Sequence, residues 1–229
     1  MNIAIILAAG KSQRTGKINK VFYQILGRPL IYYTVKAFEN HPKIQKIILV
    51  VRKNEFRRAS SFTRKYKLKK IAAVIIGGKE RQYSAYNGLK AAGSLGAKTG
   101  DLILFHNGAN PLVSEREITE VIKEAKKYKA ALVAQPLKDT LKKSDKWNFI
   151  KETIPRENLW LAQTPQVIEY TLALKAFEKA KKDKLYGTDD ISLIERLGEK
   201  VKIIPASSQN IKVTKREDLE TIKILLKNK

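Results

Sequence analysis

Apolar residues along this chain gather in short runs, the last of them interrupted by Lys202: Ile3 to Ala9, Ile47 to Val51, Ile71 to Ile76, Leu102 to Phe105, Ala130 to Ala134 and Val201 to Ile204. Continuous rather than alternating runs predict strands buried on both faces. Between them lie segments of helical period, such as Leu30, Ile31, Val35 and Phe38, or Ile118, Val121, Ile122 and Ala125, with charged residues on the other faces. Ser114 followed by Glu117 predicts a capping box, and Thr214 before Lys215-Arg216-Glu217 predicts the start of another helix carrying Leu219, Ile222, Leu225 and Leu226. Strand–helix alternation implies an α/β fold with a doubly wound, mostly parallel sheet. Its ligand crevice is expected at the carboxyl ends of the strands. The loops after Ala9, Ile76 and Phe105 should then share one rim.

The segment from Gln135 to Trp160 breaks this rhythm with Pro136, Pro155 and the polar stretch Lys142-Lys143-Ser144-Asp145-Lys146. It reads as a projecting β-arm over about residues 136–157. The alternative is an ordinary surface loop, but long structureless loops are uncommon in compact domains. The remainder reads as a single domain spanning 1–229.

Composition narrows the chemistry. The 46 Lys and Arg residues against 22 Asp and Glu give a formal net charge of +24, which favours anionic partners. The lysines are spread over the whole chain and no nucleic-acid-binding module accompanies them, so nucleic acid ranks behind nucleotides and sugar phosphates. The absence of Cys excludes disulfides, thiolate–zinc sites and Cys nucleophiles. The opening MNIAIILAAG has no basic leader and is too short to span a bilayer, so a cytoplasmic protein without a membrane partner is expected.

Two loops carry candidate chemistry. In LAAGKSQRTGKINK, residues 7–20, only Gly10 and Gly16 occur, which rules out a G-x-G-x-x-G fingerprint. Thr15 stands where a P-loop needs its second Gly. What remains is Ala8, Ala9 and Gly10, small enough for backbone N–H groups to approach a phosphate, followed by Lys11, Arg14, Lys17 and Lys20. Fixed donors with several cations suit phosphoryl transfer, which accumulates negative charge. In IIGGKERQYSAYNGL, residues 75–89, Gly78 allows close backbone approach and Ser84 offers a hydroxyl to a base or ribose.

LAAGKSQRTG with Lys20, GGKERQYSAYNGL, PLKDTL, IPRENLWLAQTPQV, GTDD and QNIKVTKREDL occur in an order and spacing that resembles the 2-C-methyl-D-erythritol 4-phosphate cytidylyltransferase family over essentially the whole chain. The resemblance implies a homodimeric enzyme that joins CMP from CTP to a polyol phosphate and releases pyrophosphate, in isoprenoid precursor synthesis. It implies Arg14, Lys20 and Lys212 as catalytic residues. Lys20 aligns after a one-residue gap, because Asn19-Lys20-Val21-Phe22 replaces the usual Pro-Lys-Gln-Phe. Ala8, Ala9, Gly10, Gly78, Lys79, Ser84 and Asn107 fall at nucleotide-binding positions, and Thr140, Arg156 and Thr188 at acceptor positions. Thr140 and Arg156 lie on the arm that in this family crosses to the partner subunit.

The tip His106-Asn107-Gly108-Ala109-Asn110-Pro111 departs from the pattern His-Asp-Ala-Ala-Arg-Pro, whose Asp holds a divalent metal. Gln209 likewise replaces a common Asp. Mg²⁺ is therefore the expected cofactor, but its ligands are not assigned. Asp189 and Asp190 are the nearest motif-linked carboxylates. Losing an Asp and an Arg together leaves no unpaired charge, which couples the changes at 107 and 110. Two alternatives accompany the leading reading: a catalytically weak relative that keeps the nucleotide site and dimer, and a ribitol-phosphate cytidylyltransferase.

Overall fold

The computed structural model describes residues 1–10 and 20–228. Arg14, Lys11 and Lys17 lie outside the described residues. In chain order the elements are β1 (Asn2–Leu7), β2 (Gln24–Ile25), β3 (Arg28–Pro29), α1 (Leu30–Asn40), β4 (Lys46–Val51), α2 (Phe56–Lys65), β5 (Ile71–Ile76), α3 (Arg81–Ser94) and β6 (Leu102–Asn107). There follow α4 (Glu115–Tyr128), β7 (Ala130–Pro136), β8 (Leu141–Ser144), β9 (Ile150–Ile154), β10 (Trp160–Glu169), α5 (Tyr170–Lys182), α6 (Ser192–Glu195), β11 (Lys202–Pro205) and α7 (Glu217–Lys227).

Seven strands form the central sheet in the order β11-β7-β10-β6-β1-β4-β5. All neighbours run parallel except β10, which is antiparallel to both β6 and β7. The period of two divides β1 between two cores. Ala4 and Ile6 pack with α1, α2, α4 and α7, whereas Ile3, Ile5 and Leu7 pack with α3, α5 and α6. A strand needing apolar side chains on both faces reads as a continuous hydrophobic run. This accounts for the runs of β1, β4, β6 and β7, whereas β5 and β11, at the two edges of the sheet, are only partly buried and depart from the expectation.

β10 is absent from the runs picked out above. Its first three residues are exposed, Gln163, Thr164 and Gln166 interrupt its apolar residues, and Pro165 cannot donate to a ladder. It is accommodated by an irregularity between Ala162 and Gln166 in its pairing with β7. The expected arm is present as a hairpin, with β8 antiparallel to β9 and its residues almost all exposed. It rises from the outer ends of β7 and β10, where Trp160 faces Pro136 and Leu161 faces Gln135.

Helix starts followed local chemistry unevenly. Ser114 and Glu117 make both bonds of the capping box on α4. At the last helix the reading needs correction, since α7 begins at Glu217 with Arg216 at its N-cap position. Thr214 does not cap it. Its N–H and hydroxyl, with the N–H of Lys215, all donate to the Asp218 carboxylate. These three donors outweigh the burial of Asp218 and hold its pKa below the usual carboxylate value.

Candidate active site

The strand order reverses direction at β1, with β4 on one side and β6 on the other. In a doubly wound sheet such a reversal opens a crevice at the carboxyl ends of the strands. A cavity of about 660 Å³ lies there, within the size range of small-molecule sites. Ala8, Ala9 and Gly10 line it from the end of β1, Gly78, Lys79 and Ser84 from the loop and helix after β5, and Asn107 from the tip of β6. Lys20 and Lys212 complete the lining, the latter from a loop far along the chain. The described nucleotide-binding and catalytic positions singled out in the sequence therefore meet in one cavity.

Small residues make this convergence sterically possible. A Cβ on Gly77 would come within 2.6 Å of the Ala9 Cβ and 2.7 Å of the Ser84 Oγ. A Cβ on Gly108 would lie 3.1 Å from the Ala8 Cβ and 3.2 Å from the Leu7 carbonyl oxygen. Gly77 and Gly108 thus set how closely the three loops approach. Ser84 is buried, and its hydroxyl accepts from the Gly78 N–H and donates to the Glu80 carbonyl, both at 3.1 Å. In this arrangement it braces the glycine loop.

Sequence reasoning passed over Arg81, which also lines the cavity. Its Nη1 and Nη2 donate to Asp190 Oδ1 and Oδ2 at 2.8 and 2.6 Å. Burial disfavours the Arg81 charge, but Asp190, joined by Asp189, overcomes this and raises its pKa. A cation just after a glycine pair at a helix start was the available signal. Asp190 is thereby committed to Arg81. Asp189 accepts from Gln166 Nε2 at 2.7 Å and from the Ser192 N–H at 2.9 Å. Neither carboxylate lines the cavity, which removes both as substitutes for the missing Asp. Gln209 is exposed and also lies off the cavity.

Thr140, Arg156 and Thr188 are exposed and do not line the cavity of their own chain. Arg156 Nη1 donates to the Lys138 carbonyl across the arm's base. His106, next to Asn107, is fully buried. Burial pushes its pKa down to about 4, only partly opposed by its bond to the Asn110 carbonyl. It stays neutral behind the site.

The family model for 2-C-methyl-D-erythritol 4-phosphate cytidylyltransferase matches residues 2–228. A protein of that name from Caldanaerobacter subterraneus subsp. tengcongensis is 43% identical over 230 residues, covering 99% of this chain and 100% of the relative. The chain belongs to the 2-C-methyl-D-erythritol 4-phosphate cytidylyltransferase family. The cytidylyltransferase of that name from Geobacillus thermodenitrificans is 42% identical over 217 residues, covering 94% and 92% of the two chains. Among solved structures, 4-diphosphocytidyl-2C-methyl-D-erythritol synthase from Anaerococcus prevotii matches with a TM-score of 0.83 at 30% identity, covering 99% of this chain and 96% of that one. The Francisella tularensis cytidylyltransferase matches with a TM-score of 0.82 at 30% identity, covering 97% and 98%. As a family member this cytidylyltransferase chain is an enzyme of the nucleotidyltransferase class.

Among the described residues no group of three His, Asp or Glu side chains gathers to hold a metal ion, and Glu80 supplies the carboxylate along the cavity lining. Mg²⁺ commonly keeps waters and binds through substrate phosphates with only one or two protein oxygens. The donor set fits a cation carried in on polyphosphate, not a resident ion in a protein cage.

Proposed function

We propose that this chain transfers CMP from CTP to 2-C-methyl-D-erythritol 4-phosphate in isoprenoid precursor synthesis. A phosphate oxygen of the acceptor attacks the α-phosphorus of CTP, the bond to the bridging oxygen breaks, and pyrophosphate leaves with that electron pair. The observation that carries this reading is the meeting of Lys20, Lys79 and Lys212 around a cavity lined also by the small residues Ala8, Ala9 and Gly10. Charge developing on the transferred group and leaving pyrophosphate requires preorganised cations more than covalent help.

In this reading Arg14 and Lys20 stabilise the leaving pyrophosphate and Lys212 the reacting phosphates. Gly78, Lys79, Ser84 and Asn107 hold the nucleotide, with magnesium entering as its phosphate chelate. Thr140, Arg156 and Thr188 recognise the acceptor, Arg156 through its planar fork of donors. The arm exposes Trp147, Phe149 and Ile150 at 67–72%. This apolar area supports a homodimer in which the arm supplies Thr140 and Arg156 to the partner's cavity. A cytoplasmic location follows from this chemistry, and among the described residues no helix is long and apolar enough to cross a membrane.

The test is pyrophosphate release with CTP and 2-C-methyl-D-erythritol 4-phosphate across a range of Mg²⁺ and Mn²⁺, with ribitol phosphate in parallel. Lys212→Ala is expected to lower kcat by about 10²–10³. Equimolar mixing of Arg156→Ala with Lys212→Ala subunits should recover about a quarter of the activity, since half the dimers gain one intact site. No turnover with this acceptor at any metal concentration would refute the reading, and no recovery on mixing would refute the crossed arm.

A further inference from the structure

Behind the tip of β6, three side-chain amides form a one-way chain. Asn107 Nδ2 donates to Asn110 Oδ1 at 3.3 Å and to Thr164 Oγ1 at 3.4 Å. Asn110 Nδ2 donates to Asn210 Oδ1 at 3.3 Å. Asn210 Nδ2 ends on the Thr164 carbonyl at 2.9 Å and on Glu117 Oε1 at 3.5 Å. Asn110 and Asn210 are both buried.

An amide has a donor end and an acceptor end, so orienting one member of such a chain orients the next. The inner terminus is made of groups that only accept. The Thr164 carbonyl has no proton, and the Glu117 carboxylate already receives the N–H groups of Ser114 and Ser207 and the Ser114 hydroxyl. Asn210 must therefore turn Nδ2 inward and offer Oδ1 to Asn110, which in turn offers Oδ1 to Asn107. Asn107 is left with Oδ1 as its free end at the cavity, and this atom accepts no hydrogen bond from the described residues.

Resting on the function proposed above, we infer that Asn110 and Asn210 are positioning residues that lock Asn107 with its carbonyl oxygen toward the bound nucleotide. The nucleotide's base and ribose carry donors of their own, but its phosphates bring only acceptors, so where this oxygen faces them its partner is the cation they carry, and titration with and without Mg²⁺ separates the two cases. The same locked polarity makes an amide, not a carboxylate, the group that fits at position 107. An Asp there sets one oxygen against Asn110 Oδ1. Turning Asn110 to donate sets its oxygen against Asn210 Oδ1, and turning Asn210 sets its oxygen against the Thr164 carbonyl and Glu117. No turn of the amides at 110 and 210 relieves the conflict. A side chain at 110 that donates in both directions does, so the departures at 107 and 110 depend on each other.

Calorimetric titration of CTP without acceptor, in Mg²⁺ and again in EDTA, together with the thermal midpoint of the full-length protein, tests this. Asn107→Asp should lower the midpoint by at least about 3 °C and leave Mg²⁺–CTP affinity no tighter than wild type. Asn110→Asp still gives Asn107 Nδ2 an acceptor but opposes Asn210, so its midpoint should fall while Mg²⁺–CTP affinity stays within about twofold. Asn110→Leu leaves Asn107 Nδ2 only its 3.4 Å bond to Thr164 Oγ1, and this loosened hold should weaken Mg²⁺–CTP about fivefold with little change in EDTA. Asn107→Asp/Asn110→Arg should regain the midpoint. If Asn110→Leu does not fold, the two Asp variants decide. An Asn107→Asp protein that melts like wild type, or binds Mg²⁺–CTP more tightly, overturns the inference. A wild-type protein that binds no CTP refutes the proposed function, while the order of midpoints still judges the amide chain.

Discussion

Replacing Asp190 with Asn removes the counter-charge that holds Arg81 at the cavity. The pair is bidentate at 2.6 and 2.8 Å, with the Asp190 side chain 1% exposed and that of Arg81 34% exposed. Breaking a fully buried pair costs about 3–5 kcal/mol because one charge is left without a partner. Here water reaches a third of Arg81 and recovers part of that loss, so about 2 kcal/mol is expected. For a chain of this size each kcal/mol moves the thermal midpoint by about 2–4 °C, giving a fall of about 4–8 °C. Arg81 also loses its aim into the cavity, and the KM for CTP should rise about tenfold. Thermal unfolding and steady-state pyrophosphate release measure the two effects. A midpoint within about 1 °C of wild type and an unchanged KM would refute the account of Arg81 as a braced, cavity-facing cation.

Burial holds His106 neutral down to about pH 4, whereas the unfolded chain takes up that proton at the ordinary histidine value. Its contribution to stability is complete above about pH 6.5 and is lost as pH falls toward about 4, by up to about 1.4 kcal/mol per pH unit. His41, also lowered chiefly by burial, adds to the loss on the acid side. Urea unfolding across this range should show the slope, and His106→Phe should flatten it; an identical slope in that variant would remove His106 from the account. Gly77→Ala forces its Cβ against Ala9 and the Ser84 hydroxyl, so the two nucleotide loops must separate. Activity should fall by about tenfold or more with a loss of about 1–3 kcal/mol in stability. Wild-type turnover in that variant would show that loop spacing at Gly77 does not matter.

The sheet's parallel strands were readable because each carries its own apolar run, and the capping box because its partners lie three residues apart. The cavity loops were readable for a related reason, since small residues at a strand's end permit close approach whatever the neighbours are. β10 was not readable. Its Gln163-Thr164-Pro165-Gln166 stretch makes sense only in a strand held by β7 on both sides of an irregularity and by β6 from Gln166 onward. Arg81 lies 109 residues from Asp190, and Asn110 lies 100 residues from Asn210. Nothing local to either residue names its partner. Sequence alone determined the layers of the fold and the small residues of the cavity loops, because these depend on local periodicity and residue size, while its motifs in register carried the resemblance to the family. Tertiary structure decided which cation is braced and which way three neutral amides point, because a buried polar group takes its orientation from whatever partner the fold brings to it.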